Sequence, residues 1–290
     1  MQKIWVCGAR GQIGQAVNDV VDKLEFEMLD TDVDDLDVTD TDEVLRFGEM
    51  NRPDIIINCS GMTDISSCEE NPSQAFKVNA LGARNLAIVA AKMQAKMVQL
   101  STDDVFDGKS TEPYTEFDIT NPGTVYGKSK LAGENYVKEF TTKHFIVRST
   151  WVYGKGQNFI NGFLKKVDAG EQLSIASDQF GSPTSANELA RFLLHLVHTS
   201  EYGTYHATNK GVCSRYAFAQ EILKMTGKTA SMQPVPTVMS DFSKVRPAYA
   251  VLDNFIMSMV PIYDFPDWQD SLREYPVSYT HLRAHETPEH

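Results

Sequence analysis

At 290 residues and 42% apolar content, the chain has enough hydrophobic material for one large globular domain or two unequal ones. Its formal charge of −12 disfavours polyanionic partners, so no nucleic acid is expected. No run approaches the roughly 18 apolar residues of a membrane span, and Met1 leads into KIWVCG without a signal-peptide pattern, so a cytoplasmic protein with no membrane partner is expected.

Short apolar runs alternate with helical periodicity from the first residue. KIWVCG predicts a buried strand, QIGQAVNDVVDKL a helix, FEMLD a second strand, and TDTDEVLRFGEMN a helix opened by a Thr or Asp cap. Between the first strand and helix lies GARGQIG. Glycines at 8, 11 and 14 let the backbone turn tightly and approach a pyrophosphate, whose charge meets the free N–H groups of the helix that follows. The candidate cofactor loop is Gly8, Arg10, Gly11, Gln12, Ile13 and Gly14. Asp30 ends the second strand, where a carboxylate accepts hydrogen bonds from an adenosine ribose and repels a 2′-phosphate. That favours NAD, but Arg10 offers a guanidinium to the same phosphate, so NADH and NADPH both stay open. The acidic run DTDVDDLDVTDTDE lacks the glycine of an EF-hand turn and reads as a solvated edge, with no metal expected.

PDIIINCS predicts the third strand, and the turn after it offers Cys59, Ser60, Gly61 and Thr63, small residues that leave room for a cofactor's second ribose. PSQAFKVNALGARNLAIVAAKM reads as a long helix, KMVQLS as a strand, TVYGKSKLAGENYVKEF as a helix and HFIVRST as a strand. Strict alternation implies right-handed crossovers and a parallel sheet covered on both faces. The expected fold is α/β, a Rossmann-like doubly wound sheet over residues 1–150. Beyond it the rhythm loosens. NFINGFLKKVDAG, SANELARFLLHLVHT and YAFAQEILKMTG look helical, while QLSIAS and GTYHATN look extended. A smaller mixed lobe is expected over 151–276, interleaved with the first domain. Cys7, Cys59, Cys68 and Cys213 show no C-x-x-C spacing, so reduced thiols are expected. VSYTHLRAHETPEH, residues 277–290, breaks with the preceding composition and reads as a non-native tail; the helical spacing of His281 and His285 imitates a metal site there.

The chemistry centres on TVYGKSK. Tyr126 and Lys130 are four apart, so on a helix they share a face. A phenol with a reference pKa near 10 becomes a usable proton donor when an adjacent ammonium stabilises its anion. A hydride arriving at a ketone carbon requires such a proton on the oxygen. QLSTDDVFDG ends the fourth strand and offers Thr102, with Ser101 as the alternative, to hold the same oxygen.

The spacing G-x-x-G-x-x-G resembles the extended short-chain dehydrogenase/reductases. STDDVFDG, NPGTVYGKSKLAGE, RSTWVYG followed by NF, SDQFGSPT and a late DW resemble, in order, the dTDP-4-dehydrorhamnose reductase family. That resemblance implies reduction of the C4 ketone of a dTDP-sugar by NADH or NADPH, with Thr102, Tyr126 and Lys130 as the catalytic set. It implies Asp37 and Val38 at the adenine, Trp151 beside the sugar, Asn158 and Phe159 near the diphosphate, and Gln179 to Thr184 along the nucleotide. Arg246 would pair with the diphosphate, and Asp103 and Asp104 would line the sugar site. Asp104 departs from the tyrosine usual in the family. Thr102-Asp103-Asp104 approaches the Thr-Asp-Glu run of nucleotide-sugar dehydratases, so a dehydratase or epimerase is the alternative. A non-catalytic regulatory subunit of the same fold is a third reading. The chain is expected to act as a monomer or homodimer.

Overall fold

Runs of Val and Ile, bounded by turn residues, become the centre of the molecule. The computed structural model describes residues 1–239 and 247–275. Five strands, β1 (Gln2–Cys7), β2 (Phe26–Thr31), β3 (Ile55–Asn58), β4 (Lys96–Thr102) and β5 (His144–Ser149), lie parallel. A further strand, Gly203–His206, joins β5, giving the order Gly203–His206, β5, β4, β3, β1, β2. The direction of winding reverses between β1 and β3, which opens a crevice at their carboxyl ends.

Strand alternation sorts the side chains into two cores. Ile4, Val6, Ile55, Ile57, Val98 and Leu100 face the helices Gln12–Val20 and Ala186–His198. Trp5, Cys7, Ile56, Met97 and Ile146 face the helices Thr41–Asn51 and Ala83–Met93. The sheet is thus buried on both sides, as continuous apolar strands require. GTYHATN and SANELARFLLHLVHT therefore serve the first sheet, although they follow residue 151.

The long helix expected from PSQAFKVNALGARNLAIVAAKM is interrupted. Pro72–Phe76 and Ala83–Met93 are α-helical, and Lys77–Gly82 between them is a π-segment. The remaining elements form a second lobe with its own core of Tyr153, Ile160, Phe163, Leu173, Ile175, Phe218, Trp268 and Leu272. Its strands are short: Cys213–Ser214, Phe180–Gly181 and Tyr249–Ala250 make one small sheet, and Met232–Val235 pairs with Leu173–Ala176. Arg246 and the tail at 277–290 lie outside the described residues.

Candidate active site

Loops following β1, β2 and β3 meet in a cleft of about 430 Å³ at the reversal point. Of the residues expected to hold a cofactor, Gly8, Gly11, Asp37, Val38, Cys59, Ser60 and Gly61 line it. Gly8 has φ +76°, and a Cβ there would lie 2.8 Å from the Ser60 nitrogen, so only glycine lets the two loops close. Ile13 packs into the core below, and the Gln12 amide donates to the Gln157 carbonyl at 2.9 Å, tying the helix to the second lobe. Gly14 closes against the Gly8 carbonyl. Thr63 lies just past the lining.

Two expectations need correction. β2 runs to Thr31, so Asp32 lines the cleft together with Asp37, while Asp30 sits opposite Val6 within the strand pair. The Arg10 guanidinium pairs with Asp34 at 3.0 Å and Asp35 at 2.7 Å, so it braces the loop after β2. Asp32 itself accepts from the Arg10 backbone N–H at 2.8 Å. The helix cap is Asp40, which accepts from the N–H groups of Asp42 and Glu43.

Tyr126 and Lys130 lie on the helix Val125–Phe140, capped by Thr124 accepting from the Gly127 N–H. Both face inward. Tyr126 is only 8% exposed, packed with Ile65, Cys68 and Ala75, and Lys130 is 4% exposed. A Cβ at Gly127 would stand 2.0 Å from the Asp104 carbonyl oxygen, so glycine lets this helix lie directly on the turn that carries Thr102, Asp103 and Asp104. The Lys130 ammonium lies beneath the β3 loop, 3.7 Å from where a Cβ on Gly61 would stand. The end of β4, the helix and the cofactor cleft thus converge. Burial lowers the Lys130 pKa to about 8, against the raising influence of Glu134 and Cys59. Desolvation pushes the half-buried Cys59 thiol up to about 12, so it stays neutral beside the lysine.

Thr102 donates to Asp103 at 3.0 Å and accepts from the Asp104 N–H at 3.2 Å. Ser101 is committed elsewhere, donating to Glu134 at 2.5 Å. Glu134 also receives Arg148 through two hydrogen bonds of 2.9 and 2.7 Å. Sequence reasoning missed this buried group, and it missed Asn79. The Asn79 side chain accepts from the Met62 N–H, donates to the Met62 carbonyl, and donates to Ser129, locking the β3 loop to the helix Val125–Phe140. Polar residues inside otherwise apolar helical and strand runs were the available signals.

In the second lobe, Trp151 at φ +47° packs on Gly181, and Phe159 stacks on Phe163 and Phe218. Gln179 is buried. Asn158 and Thr184 both make local structural hydrogen bonds. Asn158 caps the helix Phe159–Asp168 and donates to the Gly154 carbonyl at 2.6 Å. Thr184 is fully buried and donates to the Ser182 carbonyl at 3.0 Å.

Residues 1–280 match the family model of the RmlD substrate binding domain. The dTDP-4-dehydrorhamnose reductase of Aggregatibacter actinomycetemcomitans is 32% identical, over 94% of this chain and 98% of its own length. The chain belongs to the dTDP-4-dehydrorhamnose reductase family. Its relatives include the spore coat polysaccharide biosynthesis protein SpsK of Bacillus subtilis, 34% identical over 95% of this chain and 97% of that protein. A solved reductase from Clostridium acetobutylicum superposes with a TM-score of 0.93 at 40% identity, covering 96% of this chain and all of that one. The reductase from Bacillus anthracis, solved in complex with NADP, gives 0.92 at 35% identity, covering 96% and 99%. At 18% identity, a UDP-glucose 4-epimerase from Thermus thermophilus shares the fold, with a TM-score of 0.82.

This family member is an NAD(P)-dependent oxidoreductase. Its cleft fits the dinucleotide: the backbone at Gly8 and Ser60 leaves no room for a side chain where a pyrophosphate must approach. The Lys130 pKa is lowered to about 8, so under the expected role of its ammonium in supporting the phenol, kcat/KM should be full below that pH and fall as pH rises through it. A pH–rate profile checks this; activity rising steadily to pH 10 would contradict it.

Proposed function

We propose that this protein reduces the C4 ketone of a dTDP-4-keto-6-deoxy sugar, dTDP-4-dehydrorhamnose, to dTDP-L-rhamnose with NADH or NADPH. The observation that carries this reading is the buried Tyr126 and Lys130 face, packed against the Thr102 turn and the cofactor cleft together. Reduced nicotinamide, when bound, supplies the hydride for C4. Tyr126 gives its phenolic proton to the carbonyl oxygen, so the ketone becomes an alcohol. Lys130 holds positive charge beside the phenolate that is left, which makes the proton easier to release. The Thr102 hydroxyl rotates from Asp103 to hold the same oxygen. Trp151, Phe159 and Gln179 form the sugar-nucleotide side, while Asp103 and Asp104 place carboxyl groups beside Thr102. One chain carries every one of these groups, so a monomer and a homodimer serve equally. The soluble nucleotide reactants suit a cytoplasmic enzyme.

The test follows absorbance at 340 nm with the dTDP-4-keto sugar and each cofactor. One cofactor is expected to be oxidised per ketone reduced. Asp32 with its acidic neighbours Asp34, Asp35 and Asp37 disfavours a 2′-phosphate, so NADH is expected to serve better than NADPH. Turnover of the sugar without net cofactor oxidation would mark a dehydratase or epimerase instead.

A further inference from the structure

The buried carboxylate of Glu134 ties three elements together, and two of them carry the groups expected to react. Glu134 lies four residues after Lys130, so the two share a face of the helix Val125–Phe140. Both are buried, at 0% and 4% exposure. The carboxylate accepts from Ser101 on β4 at 2.5 Å and from Arg148 on β5 at 2.9 and 2.7 Å. Ser101 and Arg148 stand opposite each other in the strand pair, one residue before Thr102 and Ser149. These bonds pin the end of β4 to the helix directly beside Thr102, while the same helix carries Tyr126 and Lys130. Stability alone does not call for such a group, since well-packed apolar residues of similar volume often serve a fold as well as a buried ion pair.

The neighbouring elements bring other titratable groups to this helix. Lys138 reaches Glu134 at 3.7 Å, and the turn after β4 sets Asp103 and Asp104 against the helix. Ile65–Glu70 brings Cys68 to Tyr126, and Glu69 accepts from the Val125 N–H. Arg84 lies over Tyr136, and Lys77 of the π-segment is exposed. Burial disfavours charge on Lys130, while Glu134 and Cys59 favour it. Cys59 stays a neutral thiol, so the opposing charge is that of Glu134.

We propose that Glu134 is a positioning residue for the reduction: it holds the Thr102 end of β4 on the helix that carries Tyr126 and Lys130, and it keeps the Lys130 ammonium charged beside the phenol. This rests on the reductase reading above, because the roles of Thr102, Tyr126 and Lys130 come from it.

The test reads the pH dependence of kcat/KM for NADH oxidation by the dTDP-4-keto sugar. The Lys130 titration is read separately, without substrate, by NMR of lysines isotopically labelled at Cε and assigned through Lys130→Met. Glu134→Gln keeps the shape and removes the charge, so the alkaline fall of activity and the Lys130 titration are both expected to move about one pH unit below the wild-type value of about 8. Glu134→Asp keeps the charge but withdraws it by one methylene. The fall is then expected to stay in place while kcat drops about 100-fold, the scale for misplacing a reacting group by about 1 Å. A Glu134 that only stabilises the fold would lower the melting temperature and leave the fall and the Lys130 titration unmoved in Glu134→Gln; that result overturns the proposal, as does wild-type kcat in Glu134→Asp. Should Glu134→Gln fail to fold, Arg148→Met decides. It frees the carboxylate from its guanidinium, so the Lys130 titration is expected to move to higher pH, and an unmoved or lowered one overturns the proposal. If the wild-type protein reduces no dTDP-4-keto sugar, the reductase reading falls, and the Lys130 titration in Glu134→Gln still decides whether Glu134 sets that charge.

Discussion

Tyr126→Phe is expected to lower kcat about 1,000-fold, within the range for loss of a positioned general acid, while NADH affinity stays unchanged. The substitution removes one oxygen. The ring remains in its contacts with Ile65, Cys68 and Ala75, so helix Val125–Phe140 keeps its place on the Asp104 turn. Lys130 then has no phenolate to stabilise, and the alcohol oxygen receives its proton only from water. KM should move little, because the loss falls on the transition state rather than on ground-state binding. Single-turnover measurement of NADH oxidation checks this with saturating sugar. A kcat within tenfold of wild type would remove Tyr126 from the proton-donor role.

Glu134→Ala is expected to destabilise the protein by about 4 kcal/mol, the scale for breaking a buried ion pair, and to lower the melting temperature by roughly 10 °C. Glu134 is fully buried, and its carboxylate answers Arg148, Ser101 and, at 3.7 Å, Lys138. Burial alone raises a carboxyl pKa, but the Arg148 pair and the Ser101 hydrogen bond outweigh it and hold Glu134 below the usual carboxylate range. A lowered folded pKa means the contribution is present above the unfolded carboxylate pKa and is lost as pH falls through the folded one. His206, beside Arg148 across the sheet, is pushed down to about 3 by burial and by that arginine, so it adds no charge at neutral pH. Removing Glu134 leaves the Arg148 and Lys130 cations buried without their shared counter-charge. The double variant Glu134→Gln with Arg148→Met removes both halves and is expected to recover most of the stability. Thermal denaturation of the wild type and these two variants tests the pairing; equal losses in the single and double variants would contradict it.

The central sheet was legible because its signals are local. Val and Ile runs, glycines 8, 11 and 14, and the Tyr126 to Lys130 spacing each carry their meaning within a few residues. Strand Gly203–His206 was recognised as extended, but its place beside β5 depends on a pairing about 60 residues away in the chain. Asp30 was expected at the cleft because FEMLD reads as ending the strand there, while pairing with β1 continues to Thr31. Asn79 was hidden inside a helical pattern, since a π-segment leaves no periodic signature in so short a run. The contact of Arg215 with Trp151 and Phe159 was not legible either, because it joins distant parts of the chain and nothing local marks a cation for burial against rings.

The account turns on a hydride that reaches the sugar from the cofactor and stays there. Incubating the protein with the dTDP-4-keto-6-deoxy sugar and NADH deuterated on the transferred face, followed by mass spectrometry and NMR of the product, follows that atom directly. One deuterium at C4 of the sugar for each NAD⁺ formed is the expected result. A product without deuterium at C4, or one formed while the deuterated cofactor is regenerated, would contradict the account.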